Sequence, residues 1–385
     1  MTNPYAHPYA YMRGIDRFPA YVYDLAGLGD HAGSVRGALG PDGPELFYAA
    51  KANPDPAVLR ALAPHMDGVE ISSGGELAHV RATLPDARLA FGGPGKTDEE
   101  LALAHRLGVE RVHVESPNEL ARLVETARPV GILLRVNLPF RTPGAALQMS
   151  GPFGMDEEAL GACARTIARN PRLTLHGVHA HLASGLDAPA MLDLTAQIVD
   201  WALPWLDAHG VDDPEINLGG GMAVDYRSPD SRFDWKGYAA GLPSVPARLR
   251  IEPGRALTAY HGWYVTDVLD VKSTRGETYA VLRGGTHHLR TPVTKGHDQP
   301  FTVLTAEGEP CLRATLVGQL CTPKDVFAHD VPVPRLRPGD IIAFAMAGAY
   351  AWNISHHDFL MHPKPAFHYL PTRARQNSFP VGAGQ

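Results

Sequence analysis

The sequence predicts an α/β protein: a (β/α)8 barrel joined to a mostly β C-terminal domain. Three observations predict it. From Leu46 to Arg255, short apolar runs alternate with amphipathic, helix-period stretches eight times. The helix starts are marked by proline in the first turn and by capping boxes. After Ala256 the helical pattern thins out, and β-rich runs bounded by turn residues replace it.

The expected barrel strands are Leu46–Ala50, Gly68–Ser72, Arg88–Phe91, Arg111–Glu115, Gly131–Asn137, Leu173–His181, Glu215–Leu218 and Arg248–Glu252. Asp55-Pro56 starts the first helix, with Pro at its first position. Thr97 to Glu100 and Ser116 to Glu119 read as capping boxes. Asp187 to His209 reads as a long helix, kinked or broken at Pro204. Eight such units in about 210 residues have the length and rhythm of a barrel. A doubly wound open sheet is the alternative, because strand order cannot be read from one sequence. Trp263–Val271 and Thr278–Arg283, separated by Arg275-Gly276, predict a hairpin, and Ile341–Phe344 predicts a further strand. Ala20–Tyr23 also has strand character. The expected division is therefore a barrel of residues 26–258 and a β domain of residues 1–25 with 259–385.

The chain has 385 residues, of which 44% are hydrophobic and 20% charged, and a net charge of −6. It is long enough for two cores. With no basic stripe, a nucleic-acid partner is not expected. No apolar run approaches a membrane span, and Met1 to Ala20 lacks the apolar core of a signal peptide, so no membrane partner is expected. Cys163, Cys311 and Cys321 lie far apart, as free thiols in a reducing cytoplasm would.

Barrel enzymes carry their chemistry at the C-terminal ends of the strands. Lys51 ends the first run. Burial lowers an ammonium pKa, which makes Lys51 a candidate Schiff-base former, although a strand-end lysine can also simply snorkel to solvent. The second strand runs into Glu70-Ile71-Ser72-Ser73-Gly74-Gly75-Glu76, and the fifth carries Arg135 and Asn137. The sixth ends in His179-Ala180-His181-Leu182-Ala183-Ser184-Gly185. Gly219-Gly220-Gly221 follows the seventh, where bare backbone can approach an anion or merely form a flexible turn. Glu252-Pro253-Gly254-Arg255 closes the eighth, and Arg255 brings a cation to the same corner, where phosphate sites are common on barrels. A buried Glu252 needs a partner, either a protonated pyridine nitrogen or Arg250. His179 and His181 share one face of a strand, but the further histidines and aspartate of a zinc site are missing from the later strand ends. No metal is expected, and a flat imidazole stacked on a planar cofactor fits better.

Taken in order, Lys51-Ala52-Asn53, Ser73-Gly74-Gly75-Glu76, His179-x-His181-x-x-Ser184, Gly219-Gly220-Gly221, Glu252-Pro253-Gly254-Arg255, Cys321-x-x-x-Asp325 and Gly348-Ala349-Tyr350 resemble the fold-type III pyridoxal-phosphate decarboxylases. That family has the alanine-racemase-like barrel and includes diaminopimelate, ornithine and arginine-type decarboxylases. The resemblance covers the chain from about Pro19 to Pro365. It implies pyridoxal 5′-phosphate as cofactor, held covalently by Lys51, with His181 stacked on the ring and Glu252 paired with the ring nitrogen. Ser184, Gly219, Gly220, Gly221, Gly254, Arg255 and Tyr350 would surround the phosphate, and Arg135 would also touch the cofactor. The resemblance further implies a homodimer with shared active sites. Cys321 and Asp325 would then reach the partner's cofactor, and Cys321 would protonate the carbon that has lost its carboxylate.

The departures bear on substrate. Thr322 stands where diaminopimelate decarboxylases place an acidic residue, and Gln319 where a proline usually precedes the cysteine by two. The family's Ser-Lys-Phe-Gly loop is Ser150-Gly151-Pro152-Phe153-Gly154 here, without the lysine. Its Arg-Pro-x-Leu-Tyr segment is Gly284-Gly285-Thr286-His287-His288-Leu289-Arg290-Thr291-Pro292. These variants, with His356-His357-Asp358-Phe359, resemble a secondary-metabolism branch acting on an amino acid already attached to something larger. The expected substrate is a citryl-diaminopropionate-type conjugate of siderophore assembly. A carrier-protein-tethered amino acid is the alternative, followed by a free diamino acid such as diaminopimelate, ornithine or lysine. Thr322, Asp325, His287 and Arg290 are the expected substrate contacts, with His288 and Lys324 suited to the same anions or to a phosphopantetheine arm. A racemase, a non-catalytic homologue and a metal-dependent barrel hydrolase stand further off.

Overall fold

The computed structural model describes residues 8–370 apart from Ala127 and Arg141, so residues 1–7 and 371–385 of the expected β domain lie outside the described residues. Eight strands form a closed parallel barrel: Glu45–Ala49, Gly68–Ile71, Leu89–Phe91, Arg111–Val114, Val130–Arg135, Leu173–His179, Glu215–Asn217 and Arg248–Ile251. Each pairs with the next, and the last returns to the first through Arg250↔Glu45 and Ile251↔Leu46. Closure excludes the open sheet. The strands read as near-continuous apolar runs because helices cover them outside and side chains fill them inside; Leu46, Phe47, Phe91, Leu133 and Leu134 are all fully buried.

The strand bounds matter at two ends. The first strand stops at Ala49, and Lys51 lies two residues beyond it, in the 3-10 turn Ala50–Ala52. The sixth stops at His179, leaving His181 in the loop that follows.

Two of the capping predictions hold, and one holds by half. Asp55 accepts from Ala57 and Val58 ahead of Pro56–Leu62. Thr97 and Glu100 make both bonds of a capping box. Ser116 accepts from Glu119 N, but the Glu119 carboxylate does not reach back; it takes Glu115 N and the Lys96 ammonium instead. The helix Ala188–Ala208 contains Pro204 and runs on through it rather than breaking.

In the β domain, Gly262–Thr274 pairs antiparallel with Ala20–Tyr23, Glu277–Leu282 and Ile341–Phe344. Its hairpin turns at Arg275 and Gly276, whose φ values of 54° and 86° suit the tight turn that matches strand twist. The sequence reading missed Phe301–Val303, Leu312–Val317, Val326–Val333 and Ala366–Tyr369. Within Val326–Val333, Asp330 and Pro332 break the alternation that would have marked it as a strand. Among the described residues, no helix is long and apolar enough to cross a membrane.

The β domain grips the barrel beside Lys51. Tyr350 N donates to Ala52 O (2.8 Å), Asn353 Nδ2 to Lys51 O (2.6 Å) and Asn53 Nδ2 to Gly348 O (3.0 Å). The β domain thus holds two carbonyls of the turn that carries Lys51.

Candidate active site

A cavity of about 380 Å³ opens at the C-terminal mouth of the barrel, lined by Lys51, Glu70, Arg135, His181, Glu252 and Arg255 among others. Ser184, Gly220, Gly221, Gly254 and Tyr350 line it as well, so most of the residues singled out at strand ends converge here. Gly219 sits directly behind, packed on His181.

Lys51 Nζ is 2.6 Å from Glu70 Oε2, whose other oxygen accepts from Ser72 Oγ at 2.9 Å. The pKa of Lys51 runs against expectation. Burial pulls it down, yet the charge of Glu70, helped by Tyr350 and Glu252, outweighs burial and raises the amine above its ordinary value.

The triple glycine is a crowded passage. Gly219 has φ 69° and Gly221 φ 108°, left-handed values that a side chain resists. A Cβ on Gly219 would overlap His181, and one on Gly221 would overlap Ala183 O. Arg255 Nη1 donates to Tyr226 OH at 2.9 Å, and its guanidinium lies 4.5 Å from the centre of the Tyr350 ring. Tyr350 itself holds φ 49°, a strained value fixed by its backbone bonds to Ala52 and Thr291. Bare backbone, a cation and a hydroxyl at the barrel's last corner form a cradle shaped for a phosphate.

Glu252 is buried, and Arg250 is not its partner. Arg250 turns to the other end of the barrel, where it meets Glu45 at 2.6 Å and Glu110 at 3.4 Å. Glu252 Oε1 accepts from Asn217 Nδ2 (2.7 Å), and Oε2 lies 3.2 Å from His179 Nε2. His181 is pushed down to about 4, by burial first and then by Lys51 and Arg135, so its ring is neutral at ordinary pH. Arg135 is buried against Glu115 at 2.8 Å and lies over the Phe153 ring.

Besides Gly219, the expected residues outside this cavity's lining are Cys321, Thr322, Asp325, His287 and Arg290, together with His288 and Lys324. Cys321 and Arg290 are exposed on the β domain, and Thr322 is partly exposed. Asp325 turns inward, accepting from Thr286 N and Oγ1 and from Leu320 N, so it braces the loop that carries Cys321. His287 is fully buried rather than presented at a surface. The sequence reading gave no role to Glu70, Asn217 or His113, although Glu70 stood in a quoted segment. Among the described residues, the three buried groups whose ligand atoms come within 4.8 Å of one another are His113, His179 and Glu252, a set that does not include His181.

A barrel whose strand ends gather an amine, a phosphate cradle and a buried carboxylate defines an enzyme built around a pyridine-ring phosphate cofactor. The family follows from comparison with known proteins. The profile described as pyridoxal-dependent decarboxylase, pyridoxal binding domain, matches residues 30–259; the chain belongs to this family of carboxy-lyases, and its cofactor is pyridoxal phosphate. It is 39% identical over 374 residues to the 2-[(L-alanin-3-ylcarbamoyl)methyl]-2-hydroxybutanedioate decarboxylase of Staphylococcus aureus, covering 91% of this chain and 93% of that one. It is 29% identical to the L-glutamyl-[BtrI acyl-carrier protein] decarboxylase of Niallia circulans, over 90% of this chain and 87% of the other. Diaminopimelate decarboxylase from Helicobacter pylori, solved with L-lysine, shares the fold at a TM-score of 0.85, with 24% identity and 94% of each chain covered.

Proposed function

We propose that this enzyme decarboxylates the amino-acid end of a citrate amide of 2,3-diaminopropionate, the compound class named for the Staphylococcus aureus relative. The observation that carries the reading is that relative's 39% identity across nine-tenths of the chain. Thr322, in place of an acidic residue that would read a free distal amine, supports it.

When bound, pyridoxal phosphate supplies the electron sink for the pair left as carbon dioxide departs. Lys51 anchors it, and Glu70 holds the lysine amine at the mouth of the first strand. The amides around Gly219, Gly220 and Gly221, with Ser184, Gly254, Arg255 and Tyr350, bind the phosphate. His181 would lie against the cofactor ring, and its neutral state would leave the charge balance to Glu252, which would hold a proton on the ring nitrogen. Arg135 offers its guanidinium to the cavity floor.

In this reading residues 26–258 hold the cofactor, and residues 1–25 with 259–385 contribute to the cavity of a second copy in a homodimer. Cys321, exposed and outside its own chain's cavity, then supplies the proton to the carbon that lost its carboxylate. Thr322, Arg290 and Lys324 face the conjugate, with the two cations meeting the citryl carboxylates. Asp325 and His287 shape that surface from behind. Three unpaired cysteines accord with a reducing cytoplasm. The Niallia circulans relative makes a carrier-bound amino acid the second reading.

The test is carbon dioxide release by cofactor-loaded enzyme. The citryl amide should exceed diaminopimelate, ornithine, lysine and a carrier-loaded amino acid in kcat/KM by about a hundredfold or more. Efficient turnover of a free diamino acid, or of the carrier-bound one alone, overturns the proposal.

A further inference from the structure

His113 lies in the fourth barrel strand with no exposed surface, and neither ring nitrogen has a hydrogen-bond partner among the described residues. Its ring stacks on His179, with centroids 4.2 Å and planes 19° apart. His179 Nε2 stands 3.2 Å from Glu252 Oε2, and His113 Nε2 stands 3.9 Å from Glu252 Oε1. His179 Nδ1 is buried without a partner, so of the two neutral tautomers it is the one with its proton on Nε2 that makes a hydrogen bond here, donated to Glu252. Two aromatic hydrocarbons would fill this space without stranding polar atoms.

The charges around the pair explain its state. Burial, then Arg135, His181, Lys51 and Lys96, hold His179 far below the ordinary imidazole range. Burial, then His179, Lys96 and Arg250, hold His113 there too, against the pull of Glu252. Glu70 faces the same ring across Gly92, where an added Cβ would lie 3.0 Å from Glu70 Oε1 and 3.4 Å from His113 Nδ1. Asn217, the other donor to Glu252, is neutral as well. Among the described residues, the hydrogen bonds to the buried carboxylate therefore come from neutral donors.

We propose that His113 and His179 are positioning residues for Glu252: a neutral, stacked imidazole pair that orients the carboxylate without cancelling its charge, leaving that charge for the ring nitrogen of the bound cofactor. The inference rests on the reading of this cavity as the pyridoxal-phosphate site. A protonated imidazole here would take Glu252 as its own ion-pair partner. The cofactor nitrogen would then lose its counter-charge.

The test uses full-length protein reconstituted with pyridoxal phosphate labelled with 15N in the ring. The nitrogen resonance and the dissociation constant are measured for wild type, His179→Phe, His179→Gln and His113→Phe, with circular dichroism confirming the fold. His179→Phe should weaken cofactor binding about tenfold or more, the loss of one hydrogen bond to a charged group, and move the resonance toward the unprotonated ring. His179→Gln, which keeps an N–H donor, should recover most of both. His113→Phe should shift the resonance in the same direction by less. Phenylalanine variants that match wild type in both readouts overturn the proposal; if His179→Phe fails to fold, a wild-type-like His113→Phe does so. Wild type that takes up no cofactor overturns the reading of the cavity itself, an outcome distinct from equal uptake by every variant.

Discussion

Glu70 stands 2.6 Å from Lys51 and raises its amine above the ordinary value, so in the function proposed above this pairing sets the pH at which the amine can react. A nucleophilic amine must first lose its proton. Replacing Glu70 with Gln removes the largest of the influences that raise the lysine pKa and leaves burial to lower it. The pH dependence of cofactor uptake by apoprotein should then move down by about 1–3 units. A stopped-flow profile unchanged from wild type would show that Glu70 does not control the amine. Much of the site was visible in the sequence, because polar residues at strand ends stand out against apolar runs. Lys51, His181, Glu252, Arg255 and the glycines were all singled out that way, and they come together at one cavity. The upward shift of Lys51 was not, since it depends on the pairing of strands that brings Glu70 alongside Ala49. His113 was out of reach too, because nothing in Arg111-Val112-His113-Val114 separates a core imidazole with a role from one without.

At the level of elements, two Ser/Thr-x-x-Glu starts looked alike and behave differently. Thr97 and Glu100 cap one another. Glu119 instead joins Lys96 at 2.8 Å, with side chains 1% and 2% exposed, and Lys96 also donates to Gly93 O and His113 O. That ammonium fastens two strand ends and a helix start beneath the cavity. Lys96→Met strands the Glu119 carboxylate and should cost about 3–5 kcal/mol. Urea denaturation of the apoprotein measures it, and a cost below about 1 kcal/mol would mean that water or a rearranged partner replaces the ammonium. The periodicities revealed all eight barrel strands and the hairpin, since both are local patterns. Four β-domain strands escaped because polar residues and proline interrupt them, and their pairing partners are distant in the chain.

Across the whole molecule, buried imidazoles tie stability to pH. His287 and His288 have no exposed surface, and burial, with neighbouring histidines second, pushes them down to about 4 and about 3. Unfolded, each would titrate near 6.5. Below that value the unfolded chain binds protons that the folded chain refuses, so stability falls as pH drops from about 6.5 toward 4 and is insensitive to these groups above about 7. The urea midpoint should decline between pH 7 and pH 5, and a His287→Phe, His288→Phe double variant should flatten that decline. An equal slope in the variant would assign it to other groups.

In the proposed dimer, Lys51 of one copy and Cys321 of another complete a single site. Mixed refolding of two inactive variants, Lys51→Ala and Cys321→Ala, puts this pairing to the test. Random pairing in a two-fold dimer gives half mixed pairs, each with one intact site of two, so decarboxylation should return to about a quarter of wild type. If each variant is inactive alone and the mixture stays inactive as well, Cys321 does not act across copies, and the account of the site is wrong.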